Sequence, residues 1–309
     1  MNSTYFLSWN TRGLGSRIKR GAVKKVVVRL KPGVIFIQES KKKLVDIIVF
    51  SQICGQNQRY SFAFSPSIGA SGGLVSCWDE DFFSLKQNII HSRFIASVGT
   101  IRPLDMKCVL VNVYALNNHS DRNCLWIELK EIITRLKLPV VIGGDFNIVR
   151  RQSEKLGVYF HKKAMNEFED FIEELALIDL PFSGGAYTWC SNREAHAFCR
   201  LDRFLLTADM LLKWLELIQK LCVSSISDHK PVILCNNIPS REPKPFRWFD
   251  YWTDEEGFEN VVKIVVTKAE GKGIGNILQQ CKIESSNWLR CKKEKNIEDS
   301  KALEKKDRL

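Results

Sequence analysis

Residues 140–149 read VVIGGDFNIV, a β-branched run followed by two glycines and an Asp-Phe-Asn triplet. The run predicts a buried strand over 139–143. Alternate side chains of a strand share a face, so Asp145 and Asn147 point together if the extended backbone continues through them. A carboxylate beside an amide can hold and polarise a water that attacks phosphorus. The same residues are typical of a β-turn after a strand, and on this stretch alone the turn is favoured.

Short apolar runs and amphipathic stretches fill most of the remaining chain. Strands are predicted at 4–9, 33–37, 60–65, 73–78, 94–101, 107–114, 186–190, 199–206 and 230–235. Helices are predicted at 16–30, 121–136 and 163–176, where apolar residues recur at helical spacing. In the first helix, the face expected to be buried contains Ile18, Ala22, Val26 and Leu30. Many strands with few helices indicate an α/β fold of two packed sheets flanked by helices.

The composition is that of a basic globular protein. A chain of 309 residues, 45% of them apolar, can fill a substantial core. The formal charge of +11 favours a polyanionic partner, because clustered Lys and Arg bind phosphates. The ten cysteines show no CxxC or zinc-site spacing, so we expect reduced thiols. We see neither a secretory leader nor an apolar run near the ~20 residues of a membrane span, and expect an intracellular protein with no membrane partner.

A composition change near residue 239 predicts a domain boundary. Prolines at 239, 243 and 245 lie in the stretch NIPSREPKP and indicate a linker. We therefore assign 1–238 to the main domain and 239–309 to a linker and helical tail. The tail begins with the aromatic stretch FRWFDYW and ends in a Lys- and Glu-rich segment. Residues 253–309 are consistent with amphipathic helices that lack their normal packing partner, and equally with a solvated helix of no function.

Polar side chains follow several predicted strands. They are Asn10, Glu39, Tyr114 with Asn117, Asp202, and Asp228 with His229. A carboxylate at such a position is a typical hard-oxygen ligand for Mg²⁺, and Glu39 is the best candidate, although an ordinary exposed strand end explains it as well. His229 is the only histidine directly beside an acid, so it is the candidate for stabilising charge at phosphorus or transferring a proton.

The ordered motifs SWN, QES, NVYALN, GGDFN, YTW, RLDRF and SDHKP resemble the endonuclease/exonuclease/phosphatase superfamily, which includes DNase I and exonuclease III-type enzymes. The resemblance covers residues 1 to about 238 and implies a four-layered α/β sandwich with mixed, mainly antiparallel sheets. WNTRGLGSRIKR, FEDFIEELALIDLPFSGGAYTW and RLDRFLL resemble most closely the endonuclease domain of LINE-type (non-LTR) retrotransposons of plants.

The resemblance also implies roles for single residues. Glu39 would bind Mg²⁺, with Mn²⁺ as the alternative, while Asn10 supports that ligand and Asp228 lies beside it. Asp145 would orient or deprotonate the attacking water, and Asn147 would position it. His229 would contact the scissile phosphate, with its ring oriented by Asp202. Tyr114 and Asn117 would contact phosphate, and Thr188 and Trp189 would line the DNA cleft.

Two positions depart from the superfamily pattern. Repair enzymes often carry an Asp two residues after the position of Asn10, and this chain has Arg12, as the retrotransposon branch does. The usual YxPN element is YALN, with Leu116 in place of proline, which predicts a less rigid loop around Asn117. Basic residues flank the site, and Lys41, Lys42 and Lys43 are candidates for contacting a DNA backbone, with a solvated turn as the alternative.

These expectations converge on a Mg²⁺-dependent DNA endonuclease that nicks one strand and acts in the nucleus. No obligate protein partner is expected, although a reverse transcriptase domain is expected in a full-length relative. Two alternatives stay open. The first is an inactive nucleic-acid-binding relic of a truncated element. The second is a phosphoesterase that acts on inositol or sphingolipid phosphates, because this fold supports many phosphoesterase activities.

Overall fold

The computed structural model describes residues 4–55, 60–69, 71–157, 160–191, 197–214, 216–224, 226–236, 255–269, 276–285 and 287–288. In chain order the elements are β1 Thr4–Asn10, α1 Arg17–Leu30, β2 Val34–Gln38, α2 Ile47–Cys54, β3 Tyr60–Ile68, β4 Ser71–Asp79, β5 Phe83–Ile90, β6 Phe94–Ile101, β7 Met106–Tyr114, α3 His119–Leu136, β8 Val140–Asp145, β9 Lys155–Leu156, α4 Lys162–Glu174, β10 Ile178–Asp179, β11 Phe182–Ser183, β12 Trp189–Cys190, β13 Phe198–Cys199, β14 Asp202–Leu206, α5 Ala208–Lys213, β15 Leu217–Leu221, β16 Val232–Asn236 and α6 Phe258–Ala269.

Two large sheets form the centre of the fold. One has seven strands in the order β11-β15-β16-β1-β2-β4-β3, and the other has six in the order β10-β14-β8-β7-β6-β5. A small third sheet joins β12, β13 and β9. The pairs β1–β2 and β7–β8 are parallel, whereas their outer neighbours β16, β4, β14 and β6 pair antiparallel. The predicted mixed sheets are confirmed.

Apolar side chains join the layers. Between the two sheets, residues such as Phe6, Phe36 and Phe204 form a buried cluster. On the outer face of the seven-stranded sheet, α1 and α2 bury Val27 and Ile53. The outer face of the other sheet is covered by α3 and α4, whose buried aromatic residues are Trp126, Phe168 and Phe171. The order helix, sheet, sheet, helix confirms the predicted four-layered sandwich.

The two glycines of the GGDFN stretch are required by packing. A Cβ on Gly143 would lie 2.3 Å from the ring of Phe204, and a Cβ on Gly144 would lie 2.0 Å from the carbonyl oxygen of Val113 on β7. These approaches are too short for any side chain, so glycine lets β8 lie between its neighbours. The strand continues through both glycines to Asp145, instead of ending at 143 as predicted.

Three further predictions differ from the structure. On α1 the buried residues are Val23, Val26 and Val27, while Ile18 is 81% exposed because it lies in the first turn, outside the packed face. The strand predicted at 186–190 is reduced to β12, two residues long. The 199–206 strand is divided between β13 and β14. The helix α2 and the strands β5 and β15 were not predicted.

The chain divides into two compact units, Met1–Pro239 and Ser240–Leu309. In the second unit, Phe258, Val261 and Val265 of α6 pack against Cys281 and Trp288. The predicted linker at 237–245, the FRWFDYW stretch and the Lys- and Glu-rich end lie outside the described residues. The nine described cysteines are free thiols. None of the helices in the described part of the chain is long and apolar enough to cross a membrane.

Candidate active site

The ends of the central strands bring the predicted site residues to one edge of both sheets. Asn10 is the last residue of β1 and pairs with Gln38, the last residue of β2. Tyr114, the last residue of β7, pairs with Asp145, the last residue of β8. The neighbouring strand β14 is antiparallel and begins here, so that Asp202 pairs with Asp145. The polar residues at the strand ends therefore meet because the topology brings these strand ends together.

Glu39 lies at the centre of a hydrogen-bonded group directly after β2. It is 2% exposed, and its Oε1 accepts hydrogen bonds from Asn10 Nδ2 at 3.1 Å and from the Tyr114 hydroxyl at 3.1 Å. Two cations also contact the carboxylate: Arg12 Nη1 lies 2.8 Å from Oε1, and Lys41 Nζ lies 3.4 Å from Oε2. Glu39 is therefore a buried carboxylate with compensating positive charge, and not an exposed strand end.

Asp145 and Asn147 lie together, but not on an extended strand. The backbone of Asn147 is left-handed, with φ of 50°, and its N–H donates to Asp145 Oδ1 at 3.0 Å in an Asx turn. The turn brings the Asn147 amide nitrogen to 3.3 Å from Asp145 Oδ2, where it also donates to the Ala115 carbonyl at 2.7 Å. The two side chains lie together, as predicted. The predicted reason, an extended strand through Asn147, is wrong, because an Asx turn brings them together.

His229 is fixed between two aspartates. Its Nδ1 lies 2.8 Å from Asp202 Oδ2, so this nitrogen carries the proton and donates to the carboxylate. The other ring nitrogen, Nε2, lies 3.8 Å from Asp145 Oδ2 and, although it is buried, has no hydrogen-bond partner among the described residues. The main-chain carbonyl of His229 accepts a hydrogen bond from Trp9 Nε1 at 3.1 Å, and its N–H donates to Ser227 Oγ at 3.2 Å. The ring is thus oriented with one nitrogen free for a reacting group.

The electrostatics of this group favour a protonated histidine beside a basic carboxylate. Burial disfavours the imidazolium, but the charges of Asp202 and Asp145 outweigh it and raise the pKa of His229 to about 9. Burial raises the pKa of Asp145 to about 6, although the positive charge of His229 opposes the shift. At pH 7 to 8 this gives an imidazolium next to an ionised Asp145, as general acid–base chemistry requires.

Thr188 has a role that differs from the predicted cleft wall. Thr188 is fully buried, and its hydroxyl accepts hydrogen bonds from the N–H groups of Leu201 at 2.9 Å and Asp202 at 3.0 Å. Because Thr188 cannot reach an open cleft, its predicted contact with DNA is corrected to positioning of Asp202. Trp189 is half-buried and donates from Nε1 to Asp228 Oδ2 at 2.9 Å.

Two sets of residues offer metal-ligating atoms. Ligand atoms of Asp145, Asp202 and His229 lie within 4.8 Å of one another. In this set Asp202 Oδ2 already accepts the hydrogen bond from His229 Nδ1 at 2.8 Å, so we assign these groups to orienting the imidazole. Glu39 and Asp228 supply the carboxylate oxygens that Mg²⁺ prefers, and Glu39 already pairs with the cations of Arg12 and Lys41. By ligand type, the second set suits a divalent ion.

The remaining predicted residues lie around this centre. Asn117 is exposed and, with Asn147, lines a cavity of about 150 Å³ whose walls include Phe160 and Leu201. Lys41 and Lys43 are exposed, and Lys42 is half-buried. The run begins two residues after Glu39, and Lys41 is the member that contacts the Glu39 carboxylate.

Sequence reasoning missed two basic residues of the site. Arg12 was noted as a departure from the family pattern, yet it was given no role, and the structure places its guanidinium on both Glu39 and Asp228. Arg93, in the turn between β5 and β6, lies with its guanidinium carbon 6.0 Å from the centroid of the Tyr114 ring. Arg93 gives no local signal, because the contact depends on the pairing of distant strands. For Arg12, the reversed charge two residues after Asn10 was the available signal.

The fold and the site define a class of protein. A buried His–Asp pair, a second acid with an adjacent amide, and a carboxylate suited to a divalent ion are the groups needed for water to attack phosphorus. Residues 7–229 match the Endonuclease/Exonuclease/phosphatase family, and the chain belongs to that family. Family and site together support a hydrolase that acts on phosphodiester bonds. A comparison of the sequence with curated proteins found no match.

Solved structures share the fold at low sequence identity. The AP endonuclease LMAP from Leishmania major superposes with a TM-score of 0.63 and 17% identity, over 76% of this chain and 88% of that chain. The endonuclease domain of TRAS1, a telomere-specific non-LTR retrotransposon, superposes with a TM-score of 0.56 and 16% identity, over 76% of this chain and 99% of that chain. The 3′ phosphatase NExo from Neisseria, bound to a product DNA hairpin, superposes with a TM-score of 0.57 and 18% identity, over 75% of this chain and 98% of that chain. These likenesses establish the architecture.

Proposed function

We propose that the protein is a divalent-metal-dependent endonuclease that nicks one strand of duplex DNA, with Mg²⁺ as the expected ion and Mn²⁺ as the alternative. The observation that carries the proposal is the approach of His229 Nε2 to Asp145 Oδ2 at 3.8 Å, beside Glu39. The imidazolium of His229, as the acid, and the carboxylate of Asp145, as the base, would then both reach a phosphodiester bound at this edge of the two sheets. The net charge of +11 supports a polyanionic substrate.

The chain's own groups supply most of the chemistry. A water held by Asp145 and the Asn147 amide would attack phosphorus, and its proton would pass to the Asp145 carboxylate. The His229 imidazolium would donate to a phosphate oxygen and offset the charge that develops there, while Asp202 holds the ring. The bond from phosphorus to the 3′ oxygen breaks, and this oxygen takes a proton from solvent water, which leaves a 3′ hydroxyl and a 5′ phosphate. A divalent ion bound by Glu39 and Asp228 would supply Lewis-acid stabilisation of the phosphate.

We further propose that the domain derives from a LINE-type retrotransposon, so that a full-length relative carries a reverse transcriptase after residue 239 and acts in the nucleus. The TRAS1 endonuclease domain among the similar structures and the Arg12 departure support this origin.

The test is a plasmid nicking assay. Purified protein is incubated with supercoiled plasmid and Mg²⁺, and conversion to the open circle is followed on a gel. We expect nicking by the wild type and a loss of at least ~100-fold for Asp145→Asn and His229→Gln. Asp105→Asn is the matched control, because Asp105 is exposed and precedes β7 at the end far from Tyr114.

Outcomes other than nicking separate the alternatives. Binding of duplex without cleavage in Mg²⁺ or Mn²⁺ would identify the inactive relic. Hydrolysis of inositol phosphates in the absence of nicking would identify the lipid-phosphate activity. Equal nicking by wild type and Asp145→Asn would reject the site assignment itself, because the activity would then come from elsewhere or from a contaminant.

A further inference from the structure

The guanidinium of Arg12 bridges the two carboxylates that fit a divalent ion. Its Nη1 lies 2.8 Å from Glu39 Oε1, and its Nε lies 3.1 Å from Asp228 Oδ1. The Arg12 side chain is 37% exposed, while the Glu39 side chain is only 3% exposed. The guanidinium therefore lies between the buried carboxylate and solvent.

The backbone holds Arg12 in this position. Its φ of 50° is left-handed, and its N–H donates to Asn10 Oδ1 at 3.0 Å. Lys19 Nζ donates to the carbonyls of Thr11 at 3.1 Å and Arg12 at 2.9 Å, which fixes the turn from the other side. Asn10 in turn donates to Glu39 and Asp145. This ion pair is built into the turn after β1, unlike a pair formed by two freely rotating surface side chains.

A cation in this position must compete with a divalent ion. Both occupy oxygens of the same carboxylates, and two positive charges a few ångströms apart in a poorly solvated site repel each other strongly. An ion that binds Glu39 and Asp228 therefore has to displace the guanidinium. Displacement leaves a positive charge at the solvent-facing side, where a phosphodiester would approach the site, and guanidinium groups pair well with phosphate oxygens.

We propose that Arg12 is a tethered competitor of the divalent ion, and that a substrate phosphodiester relieves the competition by pairing with its guanidinium. Metal and nucleic acid then bind with positive coupling, and each increases the affinity for the other by the same factor. The inference rests on the proposed function, since it takes the divalent ion and the nucleic acid as ligands. It adds that the free protein binds metal weakly and that the substrate completes the metal site.

The test measures metal affinity directly. Mn²⁺ is titrated calorimetrically into the full chain at fixed ionic strength and pH 7.5, with wild type, Arg12→Gln and Arg29→Gln. Arg29 is the matched control because it is an exposed arginine in the last turn of α1. We expect Arg12→Gln to bind Mn²⁺ at least ~tenfold more tightly than wild type, and Arg29→Gln to match wild type within about twofold.

The coupling is tested with DNA present. Both arms use an Asp145→Asn background to prevent hydrolysis, with and without a saturating 20-base-pair duplex. With arginine at position 12, the duplex should tighten Mn²⁺ binding by ~tenfold, and in the Arg12→Gln background it should have little effect. Arg12→Lys retains the charge but cannot hold both carboxylates, so its Mn²⁺ affinity should lie between those of wild type and Arg12→Gln. This variant also serves if Arg12→Gln does not show a cooperative thermal transition.

Each outcome decides the inference separately from the proposed function. Equal Mn²⁺ affinities of wild type and Arg12→Gln, including no detectable binding by either, would overturn it. Coupling that persists without Arg12 would overturn it as well. If Arg12→Gln binds Mn²⁺ more tightly than wild type but the wild type nicks no plasmid, the inference is supported and the endonuclease activity is rejected. If the wild type nicks plasmid and the two proteins bind Mn²⁺ equally, the activity is supported and the inference is rejected.

Discussion

The replacement Asp202→Asn tests how the site keeps His229 protonated. Asp202 Oδ2 lies 2.8 Å from His229 Nδ1, and both side chains are buried. Burial disfavours the imidazolium, so the pKa of about 9 depends on the surrounding negative charges, of which Asp202 contributes most. Asparagine preserves the shape and a hydrogen-bond acceptor while it removes that charge.

The expected size of the effect follows from the distance. One opposite charge in contact shifts a pKa by roughly 1–3 units, or ~1.4–4 kcal/mol of differential stabilisation of the imidazolium. We therefore expect the pKa of His229 to fall from about 9 to about 6–8 in the variant. At pH 8 the protonated fraction would drop from about 90% to about a quarter if the new pKa is near 7.5. With a pKa near 7.5 the ring would remain largely protonated at pH 6.5 in both proteins.

The sign of the stability effect is also defined. The folded pKa of His229 is raised above its ordinary value of 6.5, so its ionisation stabilises the fold fully below that pH. This contribution is lost as the pH rises through about 9 in the wild type. In Asp202→Asn the loss should still begin near pH 6.5 but should be smaller and complete at lower pH than in the wild type, which urea unfolding between pH 6 and 10 would detect.

The assay is a proton–carbon NMR titration of the histidine rings, with the His229 signal assigned from its absence in His229→Gln. The alkaline limb of the nicking rate, measured in parallel, should move to lower pH with the His229 signal. Asp105→Asn is the control and should leave the titration unchanged. A His229 pKa in Asp202→Asn within about 0.5 unit of wild type would refute the reasoning, because the charge of Asp202 would then not be what holds the proton.

Three further predictions concern the base, the strand and a buried ion pair. The nicking rate should decline below pH 6, because burial raises the pKa of Asp145 to about 6. Asp145→Asn should show no measurable nicking above or below that pH. Gly144→Ala would place a Cβ 2.0 Å from the Val113 carbonyl, so it should destabilise the fold by more than ~2 kcal/mol in urea. Arg203→Met removes a fully buried cation that lies 2.7 Å from Asp179, so calorimetry should show a loss of ~3–5 kcal/mol in the free energy of unfolding, and a loss below ~1 kcal/mol would contradict this.

The elements that the sequence predicted well are those with strong apolar patterns. The central strands β2, β6, β7 and β8 are buried throughout most of their length, and uninterrupted apolar runs mark them. By contrast, β5 reads FSLKQNII and is half exposed at the edge of its sheet, so its composition did not separate it from a loop. The pairing partners of an edge strand are distant in sequence and leave no local signal.

The site was predictable to the level of residue type, but not of geometry. Asn10, Glu39, Tyr114 and Asp145 each follow an apolar run, so their shared position at strand ends could be read locally. The contacts between them depend on which strands are neighbours, which is a property of the whole topology. The buried location of Thr188 likewise follows from its hydrogen bonds to β14 and its neighbours, which no local pattern indicates.

Three residues near these strand ends share a conformation that is uncommon outside glycine. Arg12, Glu39 and Asn147 have φ values of 50°, 49° and 50°, and each follows a central strand by one or two residues. Such conformations cost about 1–3 kcal/mol unless the surroundings fix them. Here they are fixed by side-chain acceptors for the N–H groups of Arg12 and Asn147, supplied by Asn10 and Asp145. The polar groups that would handle phosphate therefore also hold the sharp turns that bring them together, so a substitution at Asn10 or Asp145 perturbs geometry and chemistry at once. For this reason, loss of activity in such variants has to be judged against direct measurements of protonation and metal binding.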